Sequence, residues 1–218
     1  MVSTELQSHT LGTLRPPTYR WELPELVLRS PDASWNLARW ETLPADGNRY
    51  EVIDGVLYMT TAPSTFHQWI TKQIAQVLLA QIDDAGIGET FWAPIGLIMP
   101  GCDPVQPDLV VVRTADRHLF HDRRIRGVPA LIIEILSPSN PDQDLDTKRK
   151  AYARAGLPEY WIVRPAERDV LLCTEPDPAI ADYLQATHIA PDAELHSPTL
   201  PIRTPIDRFF AGAPDPTL

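Results

Sequence analysis

The sequence predicts a mixed α/β domain (α+β): a mixed β-sheet core flanked by helices, with an N-terminal hairpin and arm. Three observations carry that expectation. Residues 109–112 and 130–136 form nearly continuous apolar runs, the pattern of strands covered on both faces. Phe66, Ile70, Ile74, Val77, Leu78 and Ile82 recur at spacings of three and four, which puts one apolar stripe on a helix. Asp54-Gly55 separates two short β-rich runs, a strong hairpin signal.

The elements follow in order. Residues 35–43 read as a short helix, followed by a turn at 45–48. The hairpin comes next. The striped helix then starts with Thr65 and Gln68 spaced as a capping box, and Gly86 and Gly88 close it. Three β runs are expected at 91–99, 109–112 and 130–136. A second helix is expected over 141–155, with Asn140 as cap, Pro141 in its first turn, Gln143 three after the cap, and Gly156 and Pro158 beyond its end. Strands at 160–163 and 169–173 complete the series.

At 218 residues, 44% of them hydrophobic, the chain has the material for one core. The 23 prolines cluster toward both ends. We read 1–30 as an irregular arm, 31–211 as a single domain and 212–218 as a loose tail. No apolar run reaches the roughly 18 residues that cross a bilayer, and the first residues lack a secretory pattern. A cytoplasmic protein with no membrane partner is the expectation. Cys102 and Cys173 have no zinc-ligand spacing and read as reduced thiols.

The net charge of −10 argues against a general nucleic-acid coat, which needs Lys and Arg for phosphate. The acidity is uneven, however. Residues 108–168 hold 11 Lys and Arg against 9 Asp and Glu, so the excess acid lies elsewhere in the chain.

Glu134 stands in an apolar run where alternation gives it the same face as Ile132 and Leu136. Ionising a carboxylate there costs several kcal/mol unless it is compensated, by a hard cation or by a paired Arg. Asp108 opens the preceding run after Pro107 and reads either as a turn former or as a second acid on a neighbouring strand. Two convergent carboxylates repel unless a cation or proton joins them. Lys148 shares a helical face with Ala151, Tyr152 and Ala155. The small alanines let that face approach the sheet, although Lys148, Arg149 and Lys150 also read as a solvated run.

The ordered set Pro107-Asp108, Glu134 and Lys148 resembles the PD-(D/E)xK nuclease superfamily. The wider text resembles the Uma-two family of restriction-endonuclease-like proteins. Its matching stretches are Arg49-Tyr50-Glu51-Val52-Ile53-Asp54-Gly55, His67-Gln68, Pro107-Asp108 with the β run after it, Ile132-Ile133-Glu134-Ile135-Leu136-Ser137-Pro138-Ser139, Asp144-Leu145-Asp146-Thr147-Lys148, and Tyr152 with 156–163. The resemblance spans about residues 40–210. It implies a restriction-endonuclease-like fold and a metal-dependent endonuclease that hydrolyses phosphodiester bonds, with DNA the expected substrate, Mg²⁺ or Mn²⁺ the cofactor and a homodimer the expected assembly. It implies Asp108, Glu134 and Lys148 as catalytic residues. It also implies Asp108, Glu134, the carbonyl of Ile135 and Glu51 as metal ligands, and His67, Asp144 and Tyr152 as groups that support the ligands. Glu51 also reads as an exposed hairpin carboxylate, and His67 as an edge residue of the apolar stripe. The sequence departs from the usual pattern at two places. Leu136 stands where the superfamily's lysine is common, and Arg164 stands where the family often has an Asp. Two other readings therefore stay open: an inactive nuclease-fold protein that binds nucleic acid or a partner, and a structural, oligomer-forming domain.

Overall fold

The computed structural model describes residues 27–44, 46, 48–60, 62–137 and 143–214, with side chains undescribed at 143 and 144. The arm before residue 27, the expected cap at Asn140 and Pro141, the Asp144 side chain and the tail from 215 lie outside the described residues.

Strand β1 (Val27–Arg29) and helix α1 (Leu37–Trp40) precede β2 (Arg49–Ile53) and β3 (Val56–Thr60). The three strands form an antiparallel sheet in the order β1-β3-β2. Asp54 and Gly55 turn the hairpin with φ of 49° and 77°, the left-handed pair that a tight two-residue turn requires. A Cβ on Gly55 would lie 2.3 Å from the Ala33 carbonyl oxygen, so only glycine fits.

Helix α2 (Thr65–Leu78) buries Ile70, Ile74, Val77 and Leu78, the stripe read from the sequence. Each such side chain contributes about 1.5–3 kcal/mol by leaving water. Its cap differs from the expected Thr65–Gln68 box. Ser64 is the cap, and its hydroxyl accepts the His67 amide at 3.1 Å. A π turn, Leu79–Asp83, prolongs the helix and keeps Ile82 buried.

The main sheet is built from β4 (Gly88–Trp92), β6 (Leu109–Arg113), β9 (Leu131–Ile135), β10 (Glu159–Arg164), β11 (Asp169–Asp177) and β12 (Asp182–Ile189), in the order β12-β11-β10-β9-β6-β4. Only β9 and β10 run parallel; the other pairs are antiparallel. Between these elements, β5 (Gly96–Ile98), β7 (Phe120–His121) and β8 (Arg124–Arg126) make a small sheet in the order β5-β8-β7. The expected single run over 91–99 is thus two strands in two sheets, broken at the Ala93–Pro94 peptide, where proline offers no ladder donor. Helix α3 (Arg149–Arg154) is preceded by a π turn over Gln143–Lys148, so the expected helix over 141–155 changes its winding at Lys148. Strands β13 (Glu194–His196) and β14 (Arg203–Pro205) and helix α4 (Asp207–Phe210) close the chain.

Alternation sends each central strand to two cores. On one face Leu109, Val111, Ile133, Ile135, Trp161 and Val163 pack with α2 and α4. On the other, Val110, Val112, Ile132, Leu136, Tyr160 and Ile162 pack with Ile53, Ala151 and Tyr152. This second face carries the site.

Glu159 shows how the first face tolerates a buried acid. It is fully buried and accepts hydrogen bonds from Trp161 Nε1 at 2.6 Å, Ser197 Oγ at 2.7 Å and Thr199 N at 3.2 Å. The carboxylate therefore pins the turn at 197–200 to β10. Glu159→Ala is expected to cost about 3 kcal/mol or more, because these donors lose their shared acceptor in a dry place. Urea unfolding measures the loss, and a change below about 0.5 kcal/mol would remove the role.

Candidate active site

The ladder between β6 and β9 pairs Leu109 with Ile133 and Val110 with Ile132. Extended by one residue, this register sets Asp108 opposite Glu134. The hairpin strand β2 brings Glu51 to the same place, because Arg49 and Glu51 share a face of that strand. All three carboxylates are buried: Glu51 is 2% exposed, Asp108 3% and Glu134 1%.

Three cationic or proton-bearing groups answer them. Lys148 Nζ lies 3.0 Å from Glu134 Oε1 and 3.1 Å from Glu51 Oε2. Arg49 Nη1 donates to Asp108 Oδ1 at 2.6 Å, and its Nη2 donates to the Gln106 carbonyl at 2.7 Å. Nη2 also lies 3.9 Å from Glu51 and 4.0 Å from Glu134, so one guanidinium faces all three acids. His67 Nε2 is 3.1 Å from Asp108 Oδ2, which also accepts the Ile135 amide at 2.8 Å. Because an ionised Asp only accepts, this contact places a proton on Nε2.

The supporting contacts are as specific. Tyr152 donates its hydroxyl to Glu134 Oε1 at 2.8 Å. Burial, with Glu134 and Glu51 adding to it, pushes this phenol well above its usual range, so it remains a donor. Glu51 Oε1 accepts the Gln106 amide at 2.9 Å, and the Val52 amide donates to the Pro104 carbonyl. These bonds dock the hairpin on the loop ahead of β6. Burial alone would raise the Asp108 carboxyl; His67, Arg49 and the Ile135 amide outweigh it and hold the group well below the usual carboxylate range. Burial likewise opposes charge on Arg49, yet Asp108, Glu51 and Glu134 keep it firmly protonated.

The structure therefore brings Asp108, Glu134, Lys148, Glu51, His67 and Tyr152 together, and it places Ile135 by its amide on Asp108. Leu136, at the usual lysine position, lies in the apolar cluster with Ala151 and Tyr152. Lys148 reaches the acids instead from the π turn; such turns are rare and recur at functional sites. Arg164 pairs with Asp169 on the neighbouring strand. The sequence reading missed Arg49. Its signal was available, since alternation sets it on the face of Glu51.

Oxygen donors and an excess of acid suit a hard divalent cation. As they stand, no three His, Cys, Asp or Glu side chains among the described residues converge on one ion. The guanidinium of Arg49 lies among the acids, and its Nε is buried without a hydrogen-bond partner. The donor chemistry fits such an ion, provided that this guanidinium gives way. Neither thiol offers an alternative nucleophile: burial pushes Cys102 up to about 12 and Cys173 up to about 11.

A mixed sheet with acids on adjacent strands, a docked hairpin and a lysine on the following helical turn defines a protein of nuclease-like fold. The crystal structure of "a putative nuclease belonging to DUF820" from Anabaena variabilis ATCC 29413 superposes with a TM-score of 0.68 at 20% identity, covering 81% of this chain and 98% of that one. The type IIG restriction endonuclease BpuSI matches with a TM-score of 0.37 and 13% identity over 68% of this chain and 16% of its own. No curated protein matches the chain. The chain belongs to the Uma2 family, described as "Putative restriction endonuclease", whose model matches residues 37–207.

Proposed function

We propose that this protein is an endonuclease that hydrolyses phosphodiester bonds of DNA with the aid of a divalent cation, Mg²⁺ or Mn²⁺, at the centre formed by Asp108 and Glu134. The observation that carries the reading is that three buried carboxylates share two cations, with Lys148 between Glu51 and Glu134 and Arg49 facing Asp108, Glu51 and Glu134. Acids brought this close, in a family of nuclease fold, have a chemical use for a further cation beside Lys148 and Arg49.

Asp108, Glu134 and Glu51, with the carbonyl of Ile135, would hold the ion. When bound, it supplies positive charge and Lewis acidity at the phosphoryl group under attack. The chain supplies the rest. Lys148, fixed between Glu51 and Glu134, orients the attacking water or neutralises charge that develops on the phosphate oxygens. Tyr152 holds the Glu134 carboxylate by its hydroxyl, and His67 and the Ile135 amide hold that of Asp108. Such supporting bonds fix the orientation of a ligand and are worth about 10–100-fold in affinity or activity.

One observation favours a second reading, an inactive nuclease-fold module that binds nucleic acid or protein. Arg49 already neutralises part of the acid cluster and sits where an ion would be drawn. Calorimetric titration with Mn²⁺ separates the two. The nuclease reading expects one binding event that Glu134→Gln removes, and plasmid cleavage that EDTA stops. Absence of Mn²⁺ binding in the wild type would leave the module.

A further inference from the structure

Against Asp108, Arg49 and His67 of the acid centre lies a cavity of about 180 Å³ whose other lining residues the chemistry above does not use. It is lined by Arg49 and Asp108 of the centre, by Gln68 and Thr71 on the first turns of α2, and by Trp92 and Pro94 at and just past the end of β4. The volume is below the roughly 300–1,000 Å³ of pockets for drug-sized ligands and suits one planar ring system.

Trp92 is the unusual member. It ends β4, the edge strand of the main sheet, and is 51% exposed. The other described tryptophans are all occupied. Arg39 covers Trp35, Arg124 covers Trp40, Lys72 covers Trp69, and Trp161 is buried on Glu159. Among the described residues Trp92 has no cation over its ring, no ring against it and no hydrogen bond from its indole. An uncovered aromatic face of this size is an expensive surface to leave in water, and base stacking is its characteristic use in nucleic-acid proteins. The chain at Trp92 and Pro94 is also fixed relative to the acids, because the Ala93 amide donates to the Asp108 carbonyl at 3.1 Å.

We propose that this cavity is a nucleobase subsite, in which an unstacked base of a single-stranded or frayed polynucleotide lies against the Trp92 indole next to the Asp108–Glu134 centre. The inference rests on the nuclease reading and narrows its substrate. A base in an intact duplex cannot enter, since both of its faces are already stacked and its edge is paired. The exposed side chain of Gln68 also lines the cavity and can meet the polar edge of the base, while the Thr71 hydroxyl there is already donated to the His67 carbonyl at 2.9 Å.

The test is binding by fluorescence anisotropy in Ca²⁺, with a labelled single-stranded DNA oligonucleotide, the same sequence as RNA, and the matching duplex. The wild type is expected to bind a single strand more tightly than the duplex. Trp92→Ala is expected to weaken single-strand binding about five- to a hundredfold, the effect of one lost stacking contact, with Trp92→Phe retaining most of it. Thermal melting is expected to stay unchanged, because the indole supports no core contact. Quenching of 2-aminopurine placed in the strand reports the stack directly. The two single strands tell DNA from RNA, and tight binding of either supports the subsite. Equal binding by wild type and Trp92→Ala, or a duplex preference that the substitution leaves untouched, overturns it. If Trp92→Ala loses strand binding while the wild type cleaves nothing in Mg²⁺, the subsite stands and the nuclease reading falls. If the wild type cleaves and Trp92→Ala binds normally, the reverse holds.

Discussion

Glu134→Gln is expected to lower Mg²⁺-dependent plasmid cleavage on the order of a thousandfold while leaving the protein folded. The amide keeps an oxygen acceptor at the position that receives the Lys148 ammonium at 3.0 Å and the Tyr152 hydroxyl at 2.8 Å. What it removes is one of the three negative charges that draw a cation into the site. The magnitude is that of losing a principal stabiliser of developing negative charge. The experiment has two readouts, cleavage rate and Mn²⁺ affinity, with circular dichroism as the check on folding. Undiminished cleavage by a folded Glu134→Gln protein would place the chemistry elsewhere.

The second large effect concerns Arg49. Arg49→Met is expected to destabilise the metal-free protein by about 3–5 kcal/mol, the usual result of removing one partner from a buried ionic cluster. Asp108 would then lose its 2.6 Å partner, and Glu51 and Glu134 a shared cation. Added Mn²⁺ is expected to restore much of the loss, since a ligand that binds only the folded state stabilises it by mass action. The pH dependence has a definite sign. Arg49 helps to depress the folded Asp108 carboxyl below its unfolded value, so its contribution is present above about pH 4 and fades as pH falls toward the folded value. The gap between wild type and Arg49→Met in urea unfolding is thus widest near neutral pH and narrows in acid. A gap that widens in acid, or one that Mn²⁺ does not touch, would contradict the role of Arg49 as counter-ion of the acid cluster.

Local pattern made much of the fold legible. The stripe that ends at Ile82, the Asp54-Gly55 turn and the two continuous apolar runs are each short-range signals, and each became the element it announced. Glu134 was legible for the same reason. A carboxylate amid Ile132, Ile133, Ile135 and Leu136 conflicts with its surroundings, and such a conflict can be read without coordinates. Other elements gave no such signal. Most residues of β12 are exposed, so no apolar alternation announced the strand; its place comes from the ladder to β11. The small β5-β8-β7 sheet is made of pieces of two or three residues, too short for any period to be seen.

By itself the sequence determined the class of fold and the out-of-place carboxylate of Glu134, both of which follow from side-chain alternation and helical spacing within single segments. Asp108 as its companion, and a lysine at 148 with a leucine at 136, are read through the resemblance to the Uma-two family. Only the tertiary structure decided that Glu51 joins the acids, that one arginine faces three carboxylates, and that Trp92 stands uncovered over a cavity at Asp108. Those facts depend on which strands pair and where the hairpin docks, and in the case of Arg49 and Asp108 they join residues 59 positions apart. A chain's local chemistry does not encode such distances; burial and the pairing of charges across the folded core set them.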